Sequence, residues 1–106
     1  MDISIRSAGV SLDRAAARRF IADGFARLVP APRRVEVDLS DVNGPRGGVD
    51  TRCALRIEMP GAGVIVSEER GENGRLALGR ALGRAMRALR RRLDRRPRGR
   101  PRAPRN

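Results

Sequence analysis

Residues 74–93 read as a helix with two incompatible sides. At about 100° per residue, Leu78, Leu82, Ala85, Met86, Leu89 and Leu93 gather on one face. Arg80, Arg84, Arg87 and Arg91 fall opposite them, within an arc of about 60°. No Glu or Asp is interleaved on this arginine row at helical spacing, so its like charges repel one another. Such a helix is not stable by itself. Its leucine face needs a second layer, and its arginine face gains from a counter-charge. A rod of roughly 20 residues at 1.5 Å each is about 30 Å long, enough to roof a small sheet.

The preceding residues supply that sheet. Ile3 and Ile5 alternate with Asp2, Ser4 and Arg6, predicting a short half-buried strand over 2–7. Ser11 or Asp13 can cap a first helix, which is expected to run to about Leu28 and stop at Val29-Pro30-Ala31-Pro32. Its apolar face would hold Ala17, Phe20, Ile21, Gly24 and Leu28, with Phe25 beside it and Arg14, Arg18 and Arg27 toward solvent. Alternation resumes at 34–40, with Val35, Val37 and Leu39 inward. It resumes again at 51–59, with Cys53, Leu55, Ile57 and Met59 inward. Between these strands lies a turn-rich loop, 41–50, and Pro60-Gly61-Ala62-Gly63 leads into a fourth strand from Val64 to about Glu68. Asn73 can cap the last helix. The order β-α-β-β-β-α predicts an α+β fold: a two-layer sandwich of a four-stranded sheet with two helices on one face. Residues 1–96 form the expected domain, and the Arg/Pro-rich segment 97–106 is expected to be a disordered basic tail.

Charge is distributed very unevenly. Residues 1–72 carry 11 Arg against 11 Asp or Glu, whereas residues 73–106 carry 13 Arg against Asp94 alone. The net charge of +12 therefore belongs to the last third of the chain. A field so concentrated suits a polyanion. Every basic residue is Arg, whose planar fork matches phosphate, although a GC-rich genome produces the same bias.

Catalytic chemistry finds few residues to use. The chain lacks His, Lys, Tyr and Trp, and its single Cys53 falls on the apolar face of a strand, where a structural thiol is the simpler reading. No metal-ligand spacing, dinucleotide fingerprint or phosphate loop occurs, so no catalytic residue, metal, cofactor or small-molecule substrate is expected. With no leader pattern and no long apolar run, the expected location is the cytoplasm, away from the membrane. The Gly-rich loop at 44–48 has two readings. Its glycines punctuate a strand connection, or they bring Arg46 close to a phosphate backbone. Phe20 and Phe25, both assigned to the core, leave no ring for base stacking, which favours recognition of structured RNA through shape and phosphates.

At this point the chain resembles the ribosome hibernation-promoting factors and ribosome-associated translation inhibitors, in their short form. The element order over residues 1 to about 96 is similar to that family's single domain. The stretch from Asp41 to Asp50 leading into Arg52-Cys53 is the most specific local likeness. On the last helix Asn73, Ala77 and Leu78 sit at the family's capping, small and aliphatic positions, and Arg84, Arg87 and Arg91 at basic ones. On the first helix Arg18 and Arg27 match basic positions. Arg75, Gly79 and Gly24 depart from the common aromatic, acidic and basic choices. The resemblance implies binding to the small ribosomal subunit and its rRNA, over the tRNA and mRNA sites, by steric occupancy without catalysis. Expected rRNA contacts are Arg18, Arg27, Arg46, Arg80, Arg84, Arg87 and Arg91. The dimerising domain of longer relatives is not expected here. Two other readings stay open: a general nucleic-acid-binding protein without a ribosomal site, and a small domain that docks an acidic protein or anionic lipid.

Overall fold

A computed structural model describes residues 1–42 and 50–95. Its elements are β1 (Asp2–Ala8), α1 (Arg14–Gly24), β2 (Arg34–Asp41), β3 (Thr51–Met59), β4 (Gly63–Gly71) and α2 (Gly74–Arg95). The four strands lie side by side in chain order, β1-β2-β3-β4. β1 and β2 are parallel, with Ile3 beside Val35 and Ile5 beside Val37. That pairing requires a crossover, which α1 provides. The other two pairs are antiparallel, with Val37 opposite Leu55 and Ile57 opposite Ile65. The expected two-layer α+β sandwich is the fold observed.

The alternation in β2 and β3 has its physical cause in a single covered face. Val35, Val37, Leu39, Cys53, Leu55 and Ile57 are buried beneath the helices. From α2 the core receives Ala77, Leu78, Ala81, Leu82, Ala85 and Leu89, with Met86 and Leu93 packed partly against it. Each large side chain so buried stabilises the fold by about 1.5–3 kcal/mol relative to exposure. Small residues on α2 let it approach β4 closely. There the Ser67 hydroxyl, itself buried, donates to the Ala81 carbonyl at 2.9 Å. Closest of all is Gly71, where an added Cβ would lie 2.6 Å from the Ala77 amide nitrogen.

Both helices begin as their capping residues direct. Of the two candidates at the start of α1, Asp13 is the cap, accepting from the Ala16 amide at 3.1 Å. Asn73 caps α2 by accepting from Leu76 at 2.9 Å, and the Ala77 amide donates to the Asn73 carbonyl at 3.0 Å.

Three expectations need correction. First, α1 ends at Gly24 instead of Leu28. The Phe25 amide is shared between the Ile21 and Ala22 carbonyls and Ala26 donates to Asp23, tightening the last turn so that Phe25 enters the core. Second, Phe20 is 48 % exposed instead of buried. The helix buries the stripe Ala17, Ile21, Phe25, and Phe20 falls about 100° from the centre of that stripe by helical arithmetic. Third, β4 extends past Glu68 to Gly71, because β3 begins at Thr51 and offers a partner to each added residue.

Candidate nucleic-acid interface

The topology places β1 and β4 at the edges of the sheet, where unpaired backbone groups invite association with another strand. Arginines from both helices reach over these edges. From α1, Arg14 donates to the Ile5 carbonyl and Arg18 to the Ile3 carbonyl. From α2, Arg80 donates to the Arg70 carbonyl at 2.8 Å. Near the other end of the same strand, Arg92 donates to the carbonyls of Ala62 and Val64 at 2.9 and 3.0 Å. Arg84 pairs with Glu69 of β4 at 2.8 Å. Between Arg80 and Arg91 the helix itself has no acid, but the neighbouring strand supplies one.

These contacts divide the arginine row. Arg80 and Arg84 lean toward β4 and hold part of their hydrogen-bonding capacity there. Arg87 and Arg91 are exposed and make no hydrogen bond or ion pair among the described residues. Arg90 and Arg75, outside the predicted row, are equally exposed and equally without such a partner. The pattern predicts four equivalent guanidinium groups, whereas the fold makes two of them structural as well as available and adds Arg90 and Arg75 to the free set. Helical angle alone carried the signal for Arg90, which sits beside Arg87 on the outer surface.

On α1, Arg18 is exposed but anchored to β1, and Arg27 is exposed in the turn after the helix with no partner among the described residues. Arg46 lies outside the described residues, as does the segment 97–106. The strands that flank the loop of Arg46 are closed at its base by the Val42 amide donating to the Asp50 carbonyl at 3.1 Å.

The uncovered sheet face has a different electrostatic character. Arg52 pairs with Glu68 at 2.6 Å, Arg56 with Glu58 at 2.6 Å and Arg70 with Asp50 at 3.4 Å. Hydrogen bonding and charge attraction from Glu68 raise the Arg52 guanidinium above its ordinary range, and the same bond from Arg52 lowers the Glu68 carboxyl. Exposed pairs of this kind contribute little to stability. Their effect is to neutralise the face, so the unsatisfied positive charge belongs to the helical side of the molecule.

Burial pushes the Cys53 thiol up to about 12, which removes its nucleophilic form near neutral pH. Among the described residues no group of three or more His, Cys, Asp or Glu could hold a metal ion. No described helix is long and apolar enough to cross a membrane.

No protein-family model matches the chain, and no curated protein matches it in sequence. Solved structures do match. A ribosomal subunit interface protein from Coxiella burnetii superposes with a TM-score of 0.68 at 12 % identity, covering 89 % of this chain and 99 % of its own. The N-terminal domain of Protein Y from Thermus thermophilus gives a TM-score of 0.66 at 22 % identity, covering 86 % of this chain and 98 % of its own. At such identities the likeness is one of fold, and at that level it bears out the resemblance read from the sequence: the chain has the fold of the ribosomal subunit interface proteins.

Proposed function

We propose that this chain is a ribosome-associated hibernation or translation-inhibition factor. It binds the small ribosomal subunit over the tRNA and mRNA sites through rRNA phosphates, and it acts by occupancy in the cytoplasm without catalysing a reaction. One observation carries this reading: on a fold shared with a ribosomal subunit interface protein, Arg87, Arg90 and Arg91 stand exposed on the outer face of α2 without a side-chain partner among the described residues. Arg87 and Arg91 supply the primary contacts, joined by Arg90, Arg75 and Arg27. Arg18, Arg80 and Arg84 contribute the donors that the sheet edges leave unused, and Arg46 adds to them from its loop. Guanidinium groups suit this role because each presents several N–H donors in one plane to phosphate oxygens.

A general nucleic-acid-binding protein would carry similar charge. The fold likeness favours the ribosome, since it extends over 99 % of a ribosomal subunit interface protein. In a reconstituted translation system, excess chain is expected to halt synthesis on a leaderless or ordinary message alike. Equal amounts of a non-binding basic protein should leave it running. Undiminished synthesis at saturating chain contradicts the reading.

A further inference from the structure

The exposed Phe20 lines a groove that the arginine row does not explain. The groove holds about 570 Å³ and lies between Leu12, Ala16 and Phe20 on the α1 side and Leu76 and Gly79 on α2. Phe20 is 48 % exposed and Leu76 is 43 % exposed, so both walls present apolar surface to solvent. At Gly79 nothing lies within 4 Å of where a Cβ would be, so this part of the α2 surface is open. Arg75 and Arg80 also line the groove. Arg75 makes no hydrogen bond or ion pair among the described residues, and Arg80 uses only one nitrogen on the Arg70 carbonyl.

We infer that this groove receives one unstacked nucleobase of a single-stranded RNA segment, with Phe20 as the stacking platform and Arg75 and Arg80 on the adjoining phosphates. The inference deepens the RNA-binding reading and rests on it. Charge selects the occupant. A second copy seated groove to groove would set its own Arg75 and Arg80 against these, and the chain's arginine-rich residues beyond 95 would likewise bring positive charge. A ligand both flat and apolar in one part and anionic in the next satisfies the ring and the two guanidinium groups together, and a nucleotide has that construction. Asp13, the one acid in the lining, already accepts from the Ala16 amide as the α1 cap, which limits its repulsion of phosphate. The site adds a mode of recognition that phosphate contacts on a rigid helix cannot provide: it distinguishes a strand with an available base from a fully paired one.

The chain contains neither Trp nor Tyr, so Phe20→Trp places a single indole reporter in the groove of the full chain. The probes are a single-stranded oligoribonucleotide of about six nucleotides and the same oligomer made abasic throughout, which keeps the phosphate charge. The base-containing oligomer is expected to quench the F20W indole and to bind roughly 5- to 100-fold tighter than the abasic one, the span that loss of a base–aromatic stack implies. Gly79→Leu adds bulk beside the groove at a position where a Cβ meets nothing within 4 Å, and it should erase that difference, as should Phe20→Ala, while F20W preserves it. Equal affinity for both oligomers with no quenching overturns the inference. So does tighter binding and stronger quenching by an acidic amphipathic peptide, which would assign the groove to a protein. Association with the small subunit is read separately. If Phe20→Ala and Gly79→Leu still co-sediment with subunits as the parent does and the oligomers are not distinguished, the groove proposal fails while the ribosomal reading stands. If the parent chain itself does not associate with subunits, the ribosomal reading fails whatever the oligomers show.

Discussion

Arg87→Glu combined with Arg91→Glu is expected to weaken binding to the small ribosomal subunit by roughly two to three orders of magnitude at moderate salt. Each substitution removes a positive charge that neutralises phosphate and puts a negative charge in its place, so loss of attraction is compounded by repulsion. The fold should be indifferent to the change. Both side chains are exposed and neither has a partner among the described residues. Surface substitutions of this kind alter stability by about 0.5 kcal/mol or less, which keeps the melting temperature within roughly 2–4 °C of the parent. The slope of log affinity against log salt should also flatten, because fewer counterions are released. Arg84→Glu is a poorer test of the same surface. It would set two carboxylates together where Arg84 now meets Glu69 at 2.8 Å, so lost binding and altered packing would be confounded. Retention of parental affinity in the doubly reversed chain would mean that the outer face of α2 does not meet RNA.

A second large effect is expected at a residue with no direct part in binding. Gly71→Ala should destabilise the domain by about 1–3 kcal/mol, the usual cost of overpacking. The added Cβ would fall 2.6 Å from the Ala77 nitrogen and 2.9 Å from the Leu76 carbonyl carbon. Both atoms are backbone, in the first turn of α2, so no side-chain rotation relieves the collision. The whole helix start must shift away from β4, carrying with it the Asn73 cap and the buried contact of Ser67 with Ala81. Thermal unfolding followed by circular dichroism should show a midpoint lower by about 4–8 °C for each kcal/mol lost. Gly79→Ala is the control on the same helix. Its Cβ meets nothing within 4 Å, and the gain in helix propensity should stabilise by about 1 kcal/mol. An unchanged midpoint for Gly71→Ala would contradict the close approach of β4 and α2.

The difference between these two glycines illustrates what one sequence can and cannot reveal. Strands β2 and β3 were legible because one covered face imposes a period of two, and Val35, Val37, Leu39, Leu55 and Ile57 keep it without exception. The apolar face of α2 was legible for the same reason at helical period. Hydrophobicity alone does not place Phe20, whose angle on α1 sets it at the margin of the Ala17–Ile21–Phe25 stripe and leaves it exposed. The anchoring of Arg14, Arg18, Arg80 and Arg92 was out of reach for another reason. It depends on β1 and β4 being the sheet edges, a consequence of strand order that no local pattern encodes. Likewise the pairing of Arg84 joins residues 15 apart in sequence and on different elements. The positive face as a whole was visible in composition; how it divides between holding the sheet and awaiting a partner was not.

Sedimentation of the full chain with purified ribosomal subunits through a sucrose gradient at moderate salt, with bulk RNA of equal mass as competitor, tests the ribosomal assignment most directly. The expected result is co-migration with the small subunit that the competitor does not displace, and its loss when Arg87 and Arg91 are both reversed. Migration at the top of the gradient, or displacement by the competing RNA, would contradict a specific ribosomal site.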